Sequence, residues 1–554
     1  MTTEWMGYKW LAEHYRVTPV QDFEITSEIG AARRSVVTDG RTLETYPAGS
    51  RQAPTLQAHL TYALRQEGIH LEFLARLFDV LPQAELAAWL NSERTGQYAR
   101  RAGFLYEWLT GRHIAGVEAV TGGNYVDAID PQTYFAATAS TRNARWRVRD
   151  NLPGNRDFCP LVRRTSQVRA AQDYDCAARL DELNAEFGGN VLMRSAVWLT
   201  IKESKSSFAI EHEQDQMDRI RRFAAVMERR IGEYSALLSP DTLAELQREI
   251  VSERSTISRF GLRASPVFVG ETHRFEHIVH YVAPHWDRLR EMLRGLEAFL
   301  ERTAGQSSVV RAGTAAFAFV FIHPLADGNG RIHRFIVNDV LRRDGAVPRP
   351  FILPISAVIT EKPQNIARYD HILERFSKPL MALYGDLCEF TPTRQLYPDG
   401  VQSNFTFAGY DAALPAWRYP DLTAQVEYMA DVIDRTIRQE MRTEAGILQE
   451  WTNARRMVKD IIDGPDADID RIIRSVRDNQ GTVSNKLRKE YPVLENVEIV
   501  TDLVGALKTA FKHFDGGSPT SELPDEHRLA TEPVRTKREP ETRPARIRDA
   551  EDSD

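Results

Sequence analysis

The sequence predicts a mainly α protein, and three observations carry that expectation. Apolar residues recur at intervals of three and four through nearly every stretch between residues 56 and 514, the spacing that lines one face of a helix. Strand-like composition is confined to one short span, 267–282, bounded by Pro266 and Pro284. Near residue 325, two segments that are apolar almost all round flank a polar, glycine-containing loop, as in a pair of buried core helices.

Taken in order, residues 1–50 are mixed, with Gly30, Gly40 and Gly49 breaking any long periodic run. Several amphipathic helices follow over 56–109. One carries the stripe Leu71, Leu74, Leu77 and Phe78; another closes with Phe104, Leu105, Trp108 and Leu109, and Gly111 is its stop. Residues 150–165 contain Pro153, Gly154, Asn155 and Pro160 and read as a structured loop. After Gly188 and Gly189 helices resume. Ile210, Met217, Ile220, Phe223, Ala224, Met227 and Ile231 give 207–232 helical spacing, and Trp286, Leu289, Met292, Leu293, Leu296 and Leu300 do the same for 286–300. Between them 267–271 and 275–282 suit a β-hairpin, the one convincing β signal in the chain. Residues beyond about 390 read as helical again to Phe514. From Gly516 onward the chain lacks aromatics and periodicity and is rich in Pro, Glu and Arg, the composition of a disordered tail.

Composition bounds the function classes. A net charge of −7 with a sequence pI near 6.1 offers neither a nucleic-acid coat nor a polybasic membrane anchor. Cys159, Cys176 and Cys388 are odd in number, far apart and without metal-site spacing, which suits a reducing, cytoplasmic setting. The first residues lack a signal peptide's basic start and apolar run, and no uncharged stretch is long enough to span a bilayer.

The chemistry concentrates in Phe319-Val-Phe-Ile-His323-Pro-Leu-Ala-Asp327-Gly-Asn-Gly-Arg331-Ile-His-Arg334. The polar cluster lies at the N-terminus of the second core helix, where backbone N–H groups lack intrahelical partners and the helix dipole is positive. Gly328 and Gly330 let the backbone turn sharply and approach a phosphate. Asn329 offers a side-chain amide to the same anion, and Arg331 and Arg334, three apart, add two forked cationic donors. Asp327 supplies a carboxylate where Mg²⁺ bridging phosphates wants a ligand. His323, at the loop entrance, is placed to act as a general base on a hydroxyl. A plain connector needs neither two arginines nor an asparagine between two glycines.

His323-Pro-Leu-Ala-Asp327-Gly-Asn-Gly-Arg331-Ile-His-Arg334 resembles the Fic family motif, H-P-F-x-[DE]-G-N-G-R-x-x-R, with Leu325 where the family has Phe. The resemblance implies a protein adenylyltransferase that moves AMP from ATP, with Mg²⁺, onto a Ser, Thr or Tyr hydroxyl of a target protein, self-modification and self-association included. It implies His323 as base, Asp327 as metal ligand, Gly328, Asn329 and Gly330 as the anion hole, and Arg331 and Arg334 on the outer phosphates. Members that transfer the terminal phosphate have Lys at the position of Gly330, so glycine resembles the nucleotidyl-transferring branch. The hairpin, with Val267, Phe268, Val269 and Gly270, stands where the family carries a flap that pairs with an extended target segment. Transfer of UMP, GMP or phosphocholine, or removal of AMP, would use the same phosphate chemistry.

Upstream, Ser207-Phe-Ala-Ile-Glu211-His212 resembles the family's inhibitory motif, [ST]-x-x-x-E-[GN], with His212 as the departure. The resemblance implies that Glu211 pairs with Arg334 and displaces the γ-phosphate. The same residues also read as an N-cap, Ser207, with Glu211 as a first-turn acid. Tyr369 is open to two readings, base stacking or core. Residues 472–491 have a helix–turn–helix look with Lys486, Arg488 and Lys489 on the second helix. DNA binding with a vestigial Fic site is therefore the rival of another class, although nucleic acid is not the expected partner. The organisation expected is a helical region over 1–190, which resembles the extra region of long bacterial Fic proteins, a Fic domain with inhibitory segment and flap over 191–390, a helical region over 391–515, and the tail.

Overall fold

The computed structural model describes residues 3–38, 40–211, 217–251, 259–273 and 276–511, and the chain forms two compact units divided between Ala445 and Gly446. The boundaries expected at 190/191 and 390/391 both fall inside the first unit. His212, Phe275 and the tail 516–554 lie outside the described residues.

Four strands near the start of the chain build a sheet that the sequence pattern does not announce. Strands β1 (Glu4–Met6), β2 (Ile25–Gly30), β3 (Arg34–Thr38) and β4 (Arg41–Pro47) pair in the order β1-β2-β4-β3, and helix α1 (Gly7–Tyr15) follows β1. β2 and β4 run parallel; the other pairs are antiparallel. Most of these strand residues stay partly exposed on both faces, so no alternation of apolar and polar residues marks them. Helices α2 (Leu56–Tyr62), α3 (Leu71–Val80), α4 (Gln83–Ser92) and α5 (Gln97–Thr110) follow as expected, and α5 ends at Gly111 with φ 68°. A second small sheet, β5 (Val126–Asp127), β6 (Thr141–Asn143) and β7 (Val148–Asp150), also corrects the all-helical expectation for this region. Together these elements enclose one core, with Tyr8, Leu60, Phe73, Leu105 and Trp146 in it.

A second core belongs to the helices that carry the motif. It takes in α6 (Ser166–Gln172), α7 (Cys176–Phe187), α8 (Gly189–Ile210), α9 (Met217–Arg230), α10 (Pro240–Val251), the hairpin β8 (Phe268–His273) and β9 (Glu276–Val282), and α11 (Leu289–Arg302). At its centre α12 (Ser308–Ile322) and α13 (Asn329–Arg343) are buried along nearly their whole length. Each buried phenylalanine of α12, Phe317 among them, contributes about 1.5–3 kcal/mol. α14 (Ile355–Thr360), α15 (Pro363–Tyr384), α16 (Tyr410–Arg418) and α17 (Thr423–Arg435) complete it, with a second hairpin, β10 (Cys388–Leu396) and β11 (Gln402–Phe407), between α15 and α16. That hairpin corrects the expectation that helix resumes directly after 390. Its exposed Pro392-Thr-Arg-Gln run hides the strand signal, while Cys388, Phe390, Phe405 and Phe407 pack on the core. The expected continuous helix over 207–232 is also divided, because α8 ends at Ile210 and α9 begins at Met217.

The second unit opens within α18 (Arg442–Lys459) and contains α19 (Asp466–Asp478), α20 (Asn485–Glu490) and α21 (Val497–Ala510) around Trp451, Ile473, Val476, Leu487, Leu503 and Phe511. Ser484 caps α20, which has six residues, and Arg488 donates to the Leu494 carbonyl. Among the described residues no helix is long and apolar enough to cross a membrane.

Candidate active site

Helix α12 ends at His323, whose backbone is left-handed (φ 49°, ψ 57°) and whose N–H closes the helix on the Phe319 carbonyl at 2.9 Å. A non-glycine residue there stores roughly 1–2 kcal/mol of strain, so the surrounding contacts must hold it. Nδ1 lies 3.2 Å from the Val320 carbonyl. A carbonyl only accepts, so this contact puts the proton on Nδ1 and leaves the Nε2 lone pair for a substrate proton. Burial, then the Arg263 guanidinium, push the imidazole pKa down from 6.5 to about 4. The ring is therefore neutral near pH 7, the form a general base needs.

The loop after His323 is braced from within. Leu325 is fully buried and bridges Leu262. Asn329 uses its whole side chain on that residue: Oδ1 accepts from the Leu325 N–H at 3.0 Å and Nδ2 donates to its carbonyl at 2.8 Å. The sequence pointed this amide at the anion; in the structure both of its polar atoms bond the loop, and the amide nitrogen has a second N–H. Gly328, at φ 88°, is the N-cap of α13, and no side chain caps that helix. Its N-terminus is thus left as an anion cradle built from backbone.

Asp327 is exposed, accepts the Gly328 N–H on Oδ1 at 2.6 Å, and its carbonyl is held by Gln247 Nε2 at 2.9 Å. Among the described residues no group of three His, Cys, Asp or Glu converges as a metal cage. A single carboxylate beside a phosphate cradle nevertheless fits Mg²⁺, which binds through one or two carboxylates and completes its octahedron with phosphates and water.

Opposite the cradle, the C-terminal end of α8 brings in Ser207 and Glu211. Ser207 lies in the last turn of α8 and Glu211 is its C-cap; the N-cap reading of Ser207 is therefore excluded. Glu211 Oε1 accepts from Arg334 Nη2 at 2.8 Å, and Oε2 accepts from Arg331 Nε at 2.6 Å. Ser207 holds Arg334 twice, its Oγ accepting from Nε (2.7 Å) and its carbonyl from Nη2 (3.0 Å). The Arg331 guanidinium also stacks over Phe208, 4.7 Å from the ring centre. The two arginine side chains are 3% and 2% exposed, that of Glu211 24%. One carboxylate thus occupies both cationic forks of the motif, where the sequence pointed to one.

A second carboxylate of α8 carries no local sequence signal. Glu203 is fully buried and accepts from the Ser356 N–H (2.7 Å) and hydroxyl (2.6 Å) of α14. Burial pushes its pKa up to about 7. Tyr369 is buried between His333 and Tyr428, so the core reading holds and the stacking reading does not.

The hairpin is present at the expected place. Val267 precedes β8 and its carbonyl takes the Ala283 N–H; Val269 is 46% exposed and Gly270 beside it is exposed. The Phe268 ring packs on Phe405 (4.6 Å) and Phe390 (5.3 Å) of the second hairpin. Gln247 and Arg263, which tie this region to the loop, carry no sequence signal beyond their positions.

A neutral histidine at the end of one buried helix, a backbone cradle at the start of the next and two arginines behind it lie in the part of the chain that carries a Fic domain. The model described as Fic/DOC family matches residues 237–341. "Protein adenylyltransferase fic-1" of Caenorhabditis briggsae is 29% identical over 120 residues, and its namesake of Caenorhabditis elegans 30% over 120 residues. Each match covers 21% of this chain and 22% of the relative, so the likeness spans about a fifth of those proteins' length. Solved structures that resemble the chain include a Fic family protein from Desulfovibrio desulfuricans G20 (19% identity, TM-score 0.33, 53% of this chain and 80% of that one). Another is a Fic domain containing signaling protein from Bacteroides thetaiotaomicron (17%, 0.27, 50% and 94%).

Proposed function

We propose that the protein transfers AMP from ATP to a Ser, Thr or Tyr hydroxyl of a target protein, and that Glu211 holds this activity down. The observation that carries the reading is the pairing of Glu211 with both motif arginines beside an uncapped helix N-terminus. In the working state the guanidiniums of Arg331 and Arg334 take the outer phosphates, and backbone N–H groups after Gly328 take the inner ones. The target hydroxyl gives its proton to His323 Nε2 as its oxygen bonds to the α-phosphorus; the bond from that phosphorus to the bridging oxygen breaks, and pyrophosphate leaves. Asp327 would hold Mg²⁺, which neutralises charge on the phosphates. Gly330, in place of the lysine of terminal-phosphate-transferring members, supports the nucleotidyl branch.

The test is to incubate the protein and its Glu211→Gly variant with each labelled triphosphate in cell lysate. Labelling from α-labelled ATP, stronger in the variant, is expected. Labelling only from another nucleotide, or from the γ-phosphate, would overturn the AMP assignment.

A further inference from the structure

The buried guanidinium of Arg263 has no part in holding phosphate, yet it touches the catalytic loop and both ends of the flap. It is 2% exposed. Nε donates to the His323 carbonyl at 2.8 Å, Nη1 to the Ser265 carbonyl at 2.8 Å, and Nη2 to the Pro284 carbonyl at 2.6 Å. Its own N–H donates to the Pro324 carbonyl at 3.0 Å. Ser265 stands just before β8 and Pro284 just after β9, so three points from separate parts of the chain meet on one rigid fork.

The arrangement has a use for each contact. His323 sits in a left-handed conformation that an L side chain adopts only under restraint; the bond to its carbonyl supplies that restraint at the residue itself. The bonds to Ser265 and Pro284 pin the two feet of the hairpin to the same plane. Asp399, at the tip of the second hairpin, takes the Ala264 N–H and the Ser265 hydroxyl, each at 2.7 Å, and so fixes one foot from the far side. A guanidinium suits this task because its donors diverge at fixed angles, whereas an ammonium is a single point.

Resting on the transferase reading above, we propose that Arg263 is a positioning residue that sets the distance between the general base and the target-docking hairpin, and so aims the target hydroxyl at His323 Nε2. Its charge also bears on the base. The charged groups that act on the His323 ring are Arg263, which disfavours the imidazolium, and Glu211, which favours it.

The experiment uses the full chain with ¹⁵N-labelled histidine, the His323 signals being those lost in His323→Ala. Arg263→Lys keeps the charge and breaks the fork; Arg263→Gln removes the charge. In the parent, one tautomer with the proton on Nδ1 is expected, titrating well below the ordinary imidazole range. Arg263→Lys should mix the tautomers while leaving the titration low, and Arg263→Gln should move the midpoint upward. In the Glu211→Gly background, Arg263→Lys should slow labelling at saturating triphosphate about tenfold or more, as misaimed groups do, with triphosphate affinity within about twofold of the parent. A residue that only supports the fold would lower the melting temperature and leave tautomer and midpoint alone. Folded variants with the parent's His323 signals would overturn the proposal, and so would a lysine variant that does not fold, since Arg263 would then determine the fold and not the aim. Absence of labelling by the Glu211→Gly parent would count against the transferase reading, while the histidine signals still decide the role of Arg263.

Discussion

Glu211 Oε1 lies 2.6 Å from where a β-carbon on Gly330 would stand. The carboxylate sits directly on the helix N-terminus that a phosphate would use, and only a glycine at 330 gives it that space. The site's openness to phosphate and its closure by Glu211 depend on the same missing side chain.

Replacing Glu211 by glycine removes the carboxylate from both arginines. Each charge-assisted bond is worth roughly 1.5–3 kcal/mol, so labelling should rise about tenfold to a hundredfold from the loss of one such bond. Adding Arg334→Ala should return labelling to the low level, because the freed arginine is needed for the phosphates. Labelling assays beside a melting curve for each variant check this; a folded but unactivated Glu211→Gly protein would refute the inhibitory role.

Gly330→Ala should push Glu211 off its arginines and destabilise the protein by about 1–3 kcal/mol. In the Glu211→Gly background the same alanine should cost far less stability, since the clash has gone. A double-mutant cycle on unfolding free energies measures the coupling. Activity should stay low in the double variant, because the new methyl still stands over the phosphate cradle.

His323 should keep its base form well into acid. In kcat/KM, which reports the free enzyme, the Glu211→Gly variant should not lose activity near pH 6.5, where an ordinary imidazole protonates; the loss should come toward pH 4. The same shift bears on stability. The unfolded chain takes up this proton below pH 6.5 and the native state does not, so His323 destabilises the fold progressively as pH falls from 6.5 to about 4. Rate–pH and melting–pH profiles of the parent and His323→Ala test both limbs; the alanine variant should bind triphosphate and transfer nothing.

Truncating Asp327 should weaken metal binding more than any other property. Asp327→Ala should lose most activity at ordinary Mg²⁺ and regain part of it at high Mg²⁺ or Mn²⁺, by mass action. Wild-type activity with unchanged metal dependence would remove Asp327 from the metal site.

Glu203 sets a dependence of opposite sign. Its folded pKa, near 7, is above the ordinary 4.5, so the native state holds an extra proton between those values. That stabilisation is complete below pH 4.5 and is lost as pH rises to about 7. Glu203→Gln, which cannot ionise, should flatten this part of the melting–pH profile and melt higher than the parent at about pH 8.

The motif helices were legible because their information is local. A twelve-residue run fixes the residue types, the two core helices follow from periodicity, and the Ser207–Glu211 spacing marks a segment that pairs with an arginine. The sheet of residues 4–47 and the hairpin of 388–407 were not legible, because half-exposed strands carry polar residues on both faces and lose the period-two signal. Sequence alone therefore determined the mainly α class, the loop between two core helices with His323 at its entrance, and Glu211 as the carboxylate that meets Arg334. Tertiary structure alone decided that Glu211 spans two arginines, that Asn329 braces the loop, that Phe268 turns inward, and that Arg263 joins His323 to the β8–β9 hairpin. Each of these joins residues distant in the chain or turns a side chain between two possible partners, and no local pattern encodes which partner packing will bring near.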